Sequence, residues 1–228
     1  MIYCYGDSLT QGVPGTSYIA FLNKKHKIKN YGLAGDTLLN MTERLKKRID
    51  KIDNLVICIG INDILLPFFE NYSRSWNIAV KMKVRKRFEP SRSKEEFKKN
   101  YSYMIELIKN KKVLIIGMPL LESNLDILNK EIEEYNEIIK NICKTNNIPY
   151  IDFADEEKKY NRNLEYNIPE NWFTTVSDVI ITRKQRNVEK LSKERNLSLT
   201  VDGMHFNNVS ASMLANLIDK KMFIFEDN

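Results

Sequence analysis

The chain has 228 residues, of which 43% are hydrophobic and 29% charged, and its formal net charge is +6. That composition is too apolar for a disordered chain, and the length suits one domain, or one domain with insertions. No apolar run approaches the roughly 20 residues that cross a bilayer, and a modest positive surplus tolerates anionic partners without requiring them.

Along the chain, residues 2–5 (IYCY) read as a short buried strand that ends at Gly6 and delivers Asp7 and Ser8 into a turn. Residues 28–32 form a second strand-like run. From Asp36, a plausible N-cap, the apolar residues Leu38, Met41, Leu45, Ile49 and Ile52 recur at helical steps. Strand-like runs follow at 55–60, 113–118 and 150–153. The stripe Leu125, Leu128, Ile132, Tyr135, Ile139 and Ile142 predicts a helix from Asn124, and Met213, Leu217 and Met222 predict a last one after Asn208. All the strands but the second are nearly continuous in apolar character, as strands of a parallel sheet buried on both faces are. Strands alternating with helices predict a three-layer α/β fold, a doubly wound parallel five-stranded sheet with helices on both faces, whose site lies where the strands end.

Two segments exceed that minimal pattern, so residues 1–228 read as a single domain with insertions at about 65–96 and 155–200. The first carries Arg74, Lys81, Lys83, Arg85, Lys86 and Arg87 together with Phe68, Phe69, Tyr72 and Trp76. The second holds Trp172 and Phe173, expected as hydrophobic plugs of their own insertion, and a charged helical piece around 183–195. Both leave from strand ends and are expected to overhang the site edge. The basic run 74–87 reads as a solvated face or as a contact for an anionic substrate or lipid surface. No nucleic-acid-reading module accompanies it, so no nucleic acid is expected. Cys4, Cys58 and Cys143 match neither a zinc site nor a disulfide framework and read as buried thiols of a reducing compartment. With no signal-peptide pattern before the first strand, a cytoplasmic protein is expected.

Four short stretches fall at strand ends or just before the last helix: GDSL (6–9), GLAGDT (32–37), GIND (60–63) and DGMH (202–205). A serine hydroxyl needs a base, an imidazole titrates near neutrality, a carboxylate fixes its tautomer, and N–H donors must meet the oxyanion. Ser8, His205 and Asp202 supply the first three. The backbone N–H groups of Ser8 and Gly35 and the side-chain amide of Asn62 supply the donors. The other histidine, His26, lies in the lysine-rich stretch KKHKIK. Asp7 and Asp63 are expected to hold loops or cap helices.

These four blocks resemble the GDSL, or SGNH, hydrolases, a superfamily of serine esterases and lipases. The family's Ser, Gly, Asn and Asp-x-x-His map in order onto Ser8, Gly35, Asn62 and Asp202–His205, over nearly the whole chain. Phe206 stands where the family often has Pro or Leu. The resemblance implies a flavodoxin-like sheet and a metal-independent esterase or acylhydrolase, a lipase or acetylesterase among the options. It would act through an acyl-enzyme on a small-molecule or lipid ester, with no cofactor. Two alternatives remain at this stage: a catalytically silent binding protein on the same fold, and a metal-dependent phosphoesterase, which a chain with one convergent histidine supplies poorly. The natural ester, the acyl length and the oligomeric state are left open.

Overall fold

The computed structural model describes residues 1–85 and 88–226. The basic residues Lys86 and Arg87 of the 74–87 run lie outside the described residues. Five strands, β1 (Ile2–Gly6), β2 (Ile28–Gly32), β3 (Asn54–Cys58), β4 (Lys112–Ile116) and β5 (Tyr150–Ile151), form one sheet in the order β2-β1-β3-β4-β5. Every pairing is parallel. The central strands are buried almost throughout, and the edge strand β2 is half-exposed, which is why it alone lacks a continuous apolar run.

Ten α-helices accompany the sheet among the described residues: α1 (Ser8–Gln11), α2 (Leu38–Lys46), α3 (Ile61–Tyr72), α4 (Arg74–Arg85), α5 (Lys94–Ile108), α6 (Asp126–Thr145), α7 (Phe153–Glu157), α8 (Phe173–Thr182), α9 (Arg186–Glu194) and α10 (Asn208–Asp219). Helices α2, α5 and α6 lie side by side. Tyr5 of β1 points toward them, stacked on Tyr31 and beneath Arg44 of α2. The neighbouring residue Cys4 points to the opposite face, toward Tyr18 of the 3-10 turn Tyr18–Phe21, which packs on α10. Successive strand residues therefore feed two helix layers, the three-layer arrangement expected. All three cysteines are buried and unpaired, and burial pushes the Cys4 thiol up to about 12.

Three local expectations are corrected. Asp36 does not cap α2; its carboxylate is held by Arg44 (Nε to Oδ2, 2.8 Å), and the N-cap is Thr37. The Leu38 N–H is instead capped from afar by Asp63 Oδ2 at 2.8 Å, whose other oxygen accepts from Ser91 N. Helix α2 stops at Lys46, and Ile49 lies in the 3-10 turn Ile49–Lys51 that follows. The segment 65–96 is not one appendage. Its first residues continue α3, which begins at Ile61 directly after β3. Its last begin α5, an amphipathic layer helix capped by Ser93 and buried through Phe97, Tyr101, Met104, Ile105 and Ile108. No helix among the described residues is long and apolar enough to cross a membrane.

Candidate active site

The strand register decides what meets at the C-terminal edge. Gly6 of β1 pairs with Gly32 of β2 and Cys58 of β3, so the three chains leave the sheet at one level. The next residues are Asp7 and Ser8 from β1, Ala34 and Gly35 from β2, and Ile61 and Asn62 from β3. Asp7 is the N-cap of α1, its Oδ1 accepting from Leu9 N at 2.9 Å, which turns the chain at the edge and leaves Ser8, itself largely buried, lining the cavity there.

His205 arrives on a hairpin-like loop before α10. Thr200 and Phe206 form an antiparallel bridge, and Val201 N donates to His205 O at 2.9 Å. Thr16 N, just past the serine turn, donates to Phe206 O at 3.0 Å and docks this loop beside Ser8. Gly203, at φ +85°, takes the left-handed turn that lets Asp202 fold back on the segment it precedes. Asp202 Oδ1 then accepts from Met204 N and His205 N, and Oδ2 lies 2.8 Å from His205 Nδ1. His205 Nε2 lies 3.1 Å from Ser8 Oγ. Residues almost two hundred positions apart thus form a continuous series of carboxylate, imidazole and hydroxyl. A carboxylate only accepts, so the proton belongs on Nδ1 and Nε2 is free to accept from the serine. Burial by itself would depress the imidazole. The Asp202 carboxylate, with help from Asp7, more than offsets it and lifts the pKa above the ordinary 6.5. Burial likewise pushes Asp202 up, but its bonds to His205 hold it below the usual carboxylate value.

The three residues expected to supply N–H donors line one cavity with His205. Ser8 N and Gly35 N donate to no acceptor among the described residues. One Asn62 Nδ2 hydrogen is fixed on Asp36 O at 2.9 Å, which leaves the second to face the cavity. Gly35 sits at φ +83°. The space over its Cα is not open to substrate, as an unsubstituted glycine suggests, but is taken by the ammonium of Lys83.

Ser8, Gly35, Asn62 and His205 line one end of a cavity of about 280 Å³. Most of the remaining wall is apolar, and much of it comes from both insertions: Leu65, Phe69, Trp76 and Val80 from α3 and α4, Trp172 and Val179 from the second. The two insertions are laced together. Tyr72 Oη donates to Ile168 O at 2.7 Å, Trp76 Nε1 to Pro169 O at 2.9 Å, and Trp172 N to Ser75 Oγ at 3.0 Å. Trp172 is therefore a cavity wall, whereas Phe173 is 65% exposed and plugs nothing. Arg74, Lys81 and Arg85 face solvent, as a solvated helix face does, and only Lys83 turns inward.

Two supports escape a reading of motifs. Glu122, fully buried after β4, accepts from the backbone N–H groups of Asn163, Ser198, Leu199 and Thr200 and from the Thr200 hydroxyl, and its own N–H donates to Gly203 O. It clamps the base of the loop that carries Asp202 and His205. Arg195 makes a bidentate pair with Asp178 of α8 (2.7 and 2.8 Å) and donates to Val201 O, tying a cavity wall to the same loop. Among the described residues, no three His, Cys, Asp or Glu side chains are grouped as metal ligands would be.

An all-parallel sheet carrying such a series at its edge, under an apolar cavity, has the architecture of a hydrolase. The chain belongs to the GDSL-like lipase/acylhydrolase family, whose model matches residues 4–174, and it is a carboxylic ester hydrolase. That match stops before Asp202 and His205, so their place at the site rests on the geometry. Similar solved structures include the lipase/acylhydrolase from Enterococcus faecalis, with 20% identity and TM-score 0.61 over 97% of this chain and 94% of that one. The acetyl xylan esterase AlAXEase has 17% identity and TM-score 0.63 over 96% and 98%. Axe2, an acetylxylan esterase from Geobacillus stearothermophilus, has 16% identity and TM-score 0.58 over 100% and 94%. At these identities the likeness is one of fold. No curated protein matches the sequence.

Proposed function

We propose that the chain hydrolyses esters through a covalent acyl intermediate on Ser8, without a metal. The observation that carries this reading is the unbroken series from Asp202 Oδ2 through both nitrogens of His205 to Ser8 Oγ. Ser8 Oγ attacks the carbonyl carbon while His205 Nε2 takes its proton. The carbonyl oxygen becomes an oxyanion facing Ser8 N, Gly35 N and Asn62 Nδ2, and Asp202 steadies the imidazolium. Collapse breaks the bond to the alcohol, which leaves with the proton from Nε2. Water then adds to the acyl-serine by the same route, and the carboxylate departs. The acyl group occupies the apolar cavity, whose volume exceeds the needs of an acetyl group, so the substrates are esters of apolar acyl chains longer than acetyl.

The test is a panel of aryl esters from acetyl to decanoyl, assayed beside Ser8→Ala. The reading expects turnover to peak above acetyl and to vanish in the variant. Ester turnover that survives in Ser8→Ala would end the nucleophile assignment. Absence of turnover in the intact protein would favour a binding protein, and loss on chelation a metal-dependent phosphoesterase.

A further inference from the structure

Lys83 is the one cation that α4 turns into the cavity, and neither the fold nor the ester reaction so far gives it a task. Its Nζ rests over Gly35, where a Cβ would overlap it and where the aliphatic carbon Cε would lie 3.3 Å away. It lines the same cavity as Ser8, Asn62 and His205, in a wall that is mostly apolar and, among the described residues, holds no other cationic or anionic side chain besides the imidazole. The side chain has no hydrogen-bond or ion-pair partner among the described residues. An ammonium withdrawn from water into apolar surroundings is costly unless an anion meets it. During acyl transfer one anion arises at this spot, the carbonyl oxygen beside Gly35 N–H.

Resting on the serine reading above, we propose that Lys83 is a catalytic residue of the ester hydrolysis, a cation that joins Ser8 N, Gly35 N and Asn62 Nδ2 in stabilising the oxyanion. Lys83 transfers no proton and forms no bond; its charge lies closest when the carbonyl oxygen turns negative and counts least against a neutral ester. That differential is what accelerates a chemical step. Burial lowers the lysine pKa, while the charge of Asp7 favours the cation. Lys83 in turn lowers the pKa of His205, whose other charged neighbours are Asp202 and Asp7, with Asp178 of α8 beyond them.

The experiment compares wild type, Lys83→Met, Lys83→Arg and Ser8→Ala on p-nitrophenyl butyrate and on an ester whose acyl chain ends in a carboxylate. Lys83→Met should fold at least as well as wild type, since it removes an unpaired, half-buried charge at nearly constant volume; a melting curve checks this, and Lys83→Gln serves if Met does not fold. Expected for Lys83→Met is a kcat on the neutral ester lower on the order of 10²-fold, with KM within about threefold. Lys83→Arg should restore most of it. Affinity for butylboronic acid, which forms an anionic tetrahedral adduct on serine, should fall by the factor seen in kcat/KM. The acid limb of kcat/KM should move to higher pH, because the charge that lowered His205 is gone. Three results would overturn the proposal: an unchanged kcat on the neutral ester, a change in KM alone, or a loss confined to the carboxylate-bearing ester, which would make Lys83 a reader of substrate charge. If Ser8→Ala keeps wild-type turnover, the serine reading falls and takes this one with it. If Ser8→Ala is inactive and Lys83→Met is not, Lys83 alone falls.

Discussion

Glu122→Gln tests whether the loop carrying His205 is held from beneath. The carboxylate accepts five hydrogen bonds, two on Oε1 (Asn163 N at 2.9 Å and Ser198 N at 2.7 Å) and three on Oε2 (Leu199 N at 2.9 Å, Thr200 N and Thr200 Oγ1 at 3.0 Å). Gln has nearly the same shape but one acceptor oxygen. Whichever way its amide turns, the NH2 group confronts at least two donors that cannot reach water, because the residue is fully buried. A hydrogen bond to a charged group contributes roughly 1.5–3 kcal/mol, so two lost bonds cost about 3–6 kcal/mol. For a chain of this size each kcal/mol moves Tm by roughly 2–4 °C, so a fall of at least about 6 °C is expected. The hairpin closed by the Thr200–Phe206 bridge also loosens, so kcat should fall well below the melt by a larger factor than KM changes, since this loop carries His205 but supplies only Met204 to the apolar part of the cavity wall. Circular dichroism melts and ester hydrolysis in the cold read the two effects. A Tm within about 2 °C of wild type would refute the reasoning, for it would mean the five bonds contribute almost nothing net.

Three further outcomes are expected. Asn62→Ala should lower kcat by roughly 10²–10³-fold with little change in KM; steady-state kinetics in which only KM moved would remove Asn62 from the oxyanion site. The base form of His205 is the unprotonated one and its pKa is raised, so kcat/KM should climb with pH through a midpoint above the ordinary 6.5. Asp7→Asn, which removes a negative charge that raises it, should bring that midpoint down; a profile that moves the other way would contradict the charge arrangement. Trp172→Ala should shift the preferred acyl chain to greater length because it opens the cavity wall, and Phe173→Ala should not, because that ring is exposed; an equal shift in both would refute the wall assignment.

The parts of the fold that were legible are those governed by local pattern. Continuous apolar runs mark four of the five strands, the half-exposed edge strand β2 being the exception, and the stripe on α6 places Leu128, Ile132, Tyr135, Ile139 and Ile142 in the core, where they are found. Three of the four motif blocks are legible because each sits where a strand ends and parallel pairing forces those ends together; the fourth, 202–205, precedes the last helix and is brought in by its loop, docked through Thr16 N on Phe206 O. What was hidden depends on long-range partners. Asp36 looks like the cap of α2, and only the fold shows that Arg44 occupies it while Asp63 caps the helix from the next strand–helix junction. Helix α5 went unread because its apolar residues follow a basic stretch that looked like one insertion. Glu122 carries a faint signal, an acidic residue at the end of the apolar stretch 117–121 that follows β4, but nothing local says that it accepts from a loop some eighty residues away. Lys83 carries none: among the four cations of α4, Arg74, Lys81, Lys83 and Arg85, the sequence does not say which one turns inward.

The site has two origins, and they divide the chemistry. Ser8 and the N–H groups of Gly35 and Asn62 follow the ends of β1, β2 and β3, so their relative positions follow from strand register, and a change there disturbs the sheet itself. The apolar cavity beside them owes most of its wall to α3, α4 and the segment running into α8. These pieces hold one another mainly through hydrogen bonds to the carbonyls of Ile168, Pro169 and Glu170, which any sequence can offer. Side chains such as Leu65, Val80 and Val179 can therefore be exchanged without loosening that lacing, and acyl preference can drift while the reacting groups stay fixed. Lys83 stands where the two origins meet, supplied by an insertion helix yet resting on Gly35 of the strand-end set. A cation there couples them: moving α4 to admit a different acyl chain also moves a charge relative to the oxyanion, so in this enzyme chain-length preference and kcat should change together when α4 is altered and separately when only α8 is.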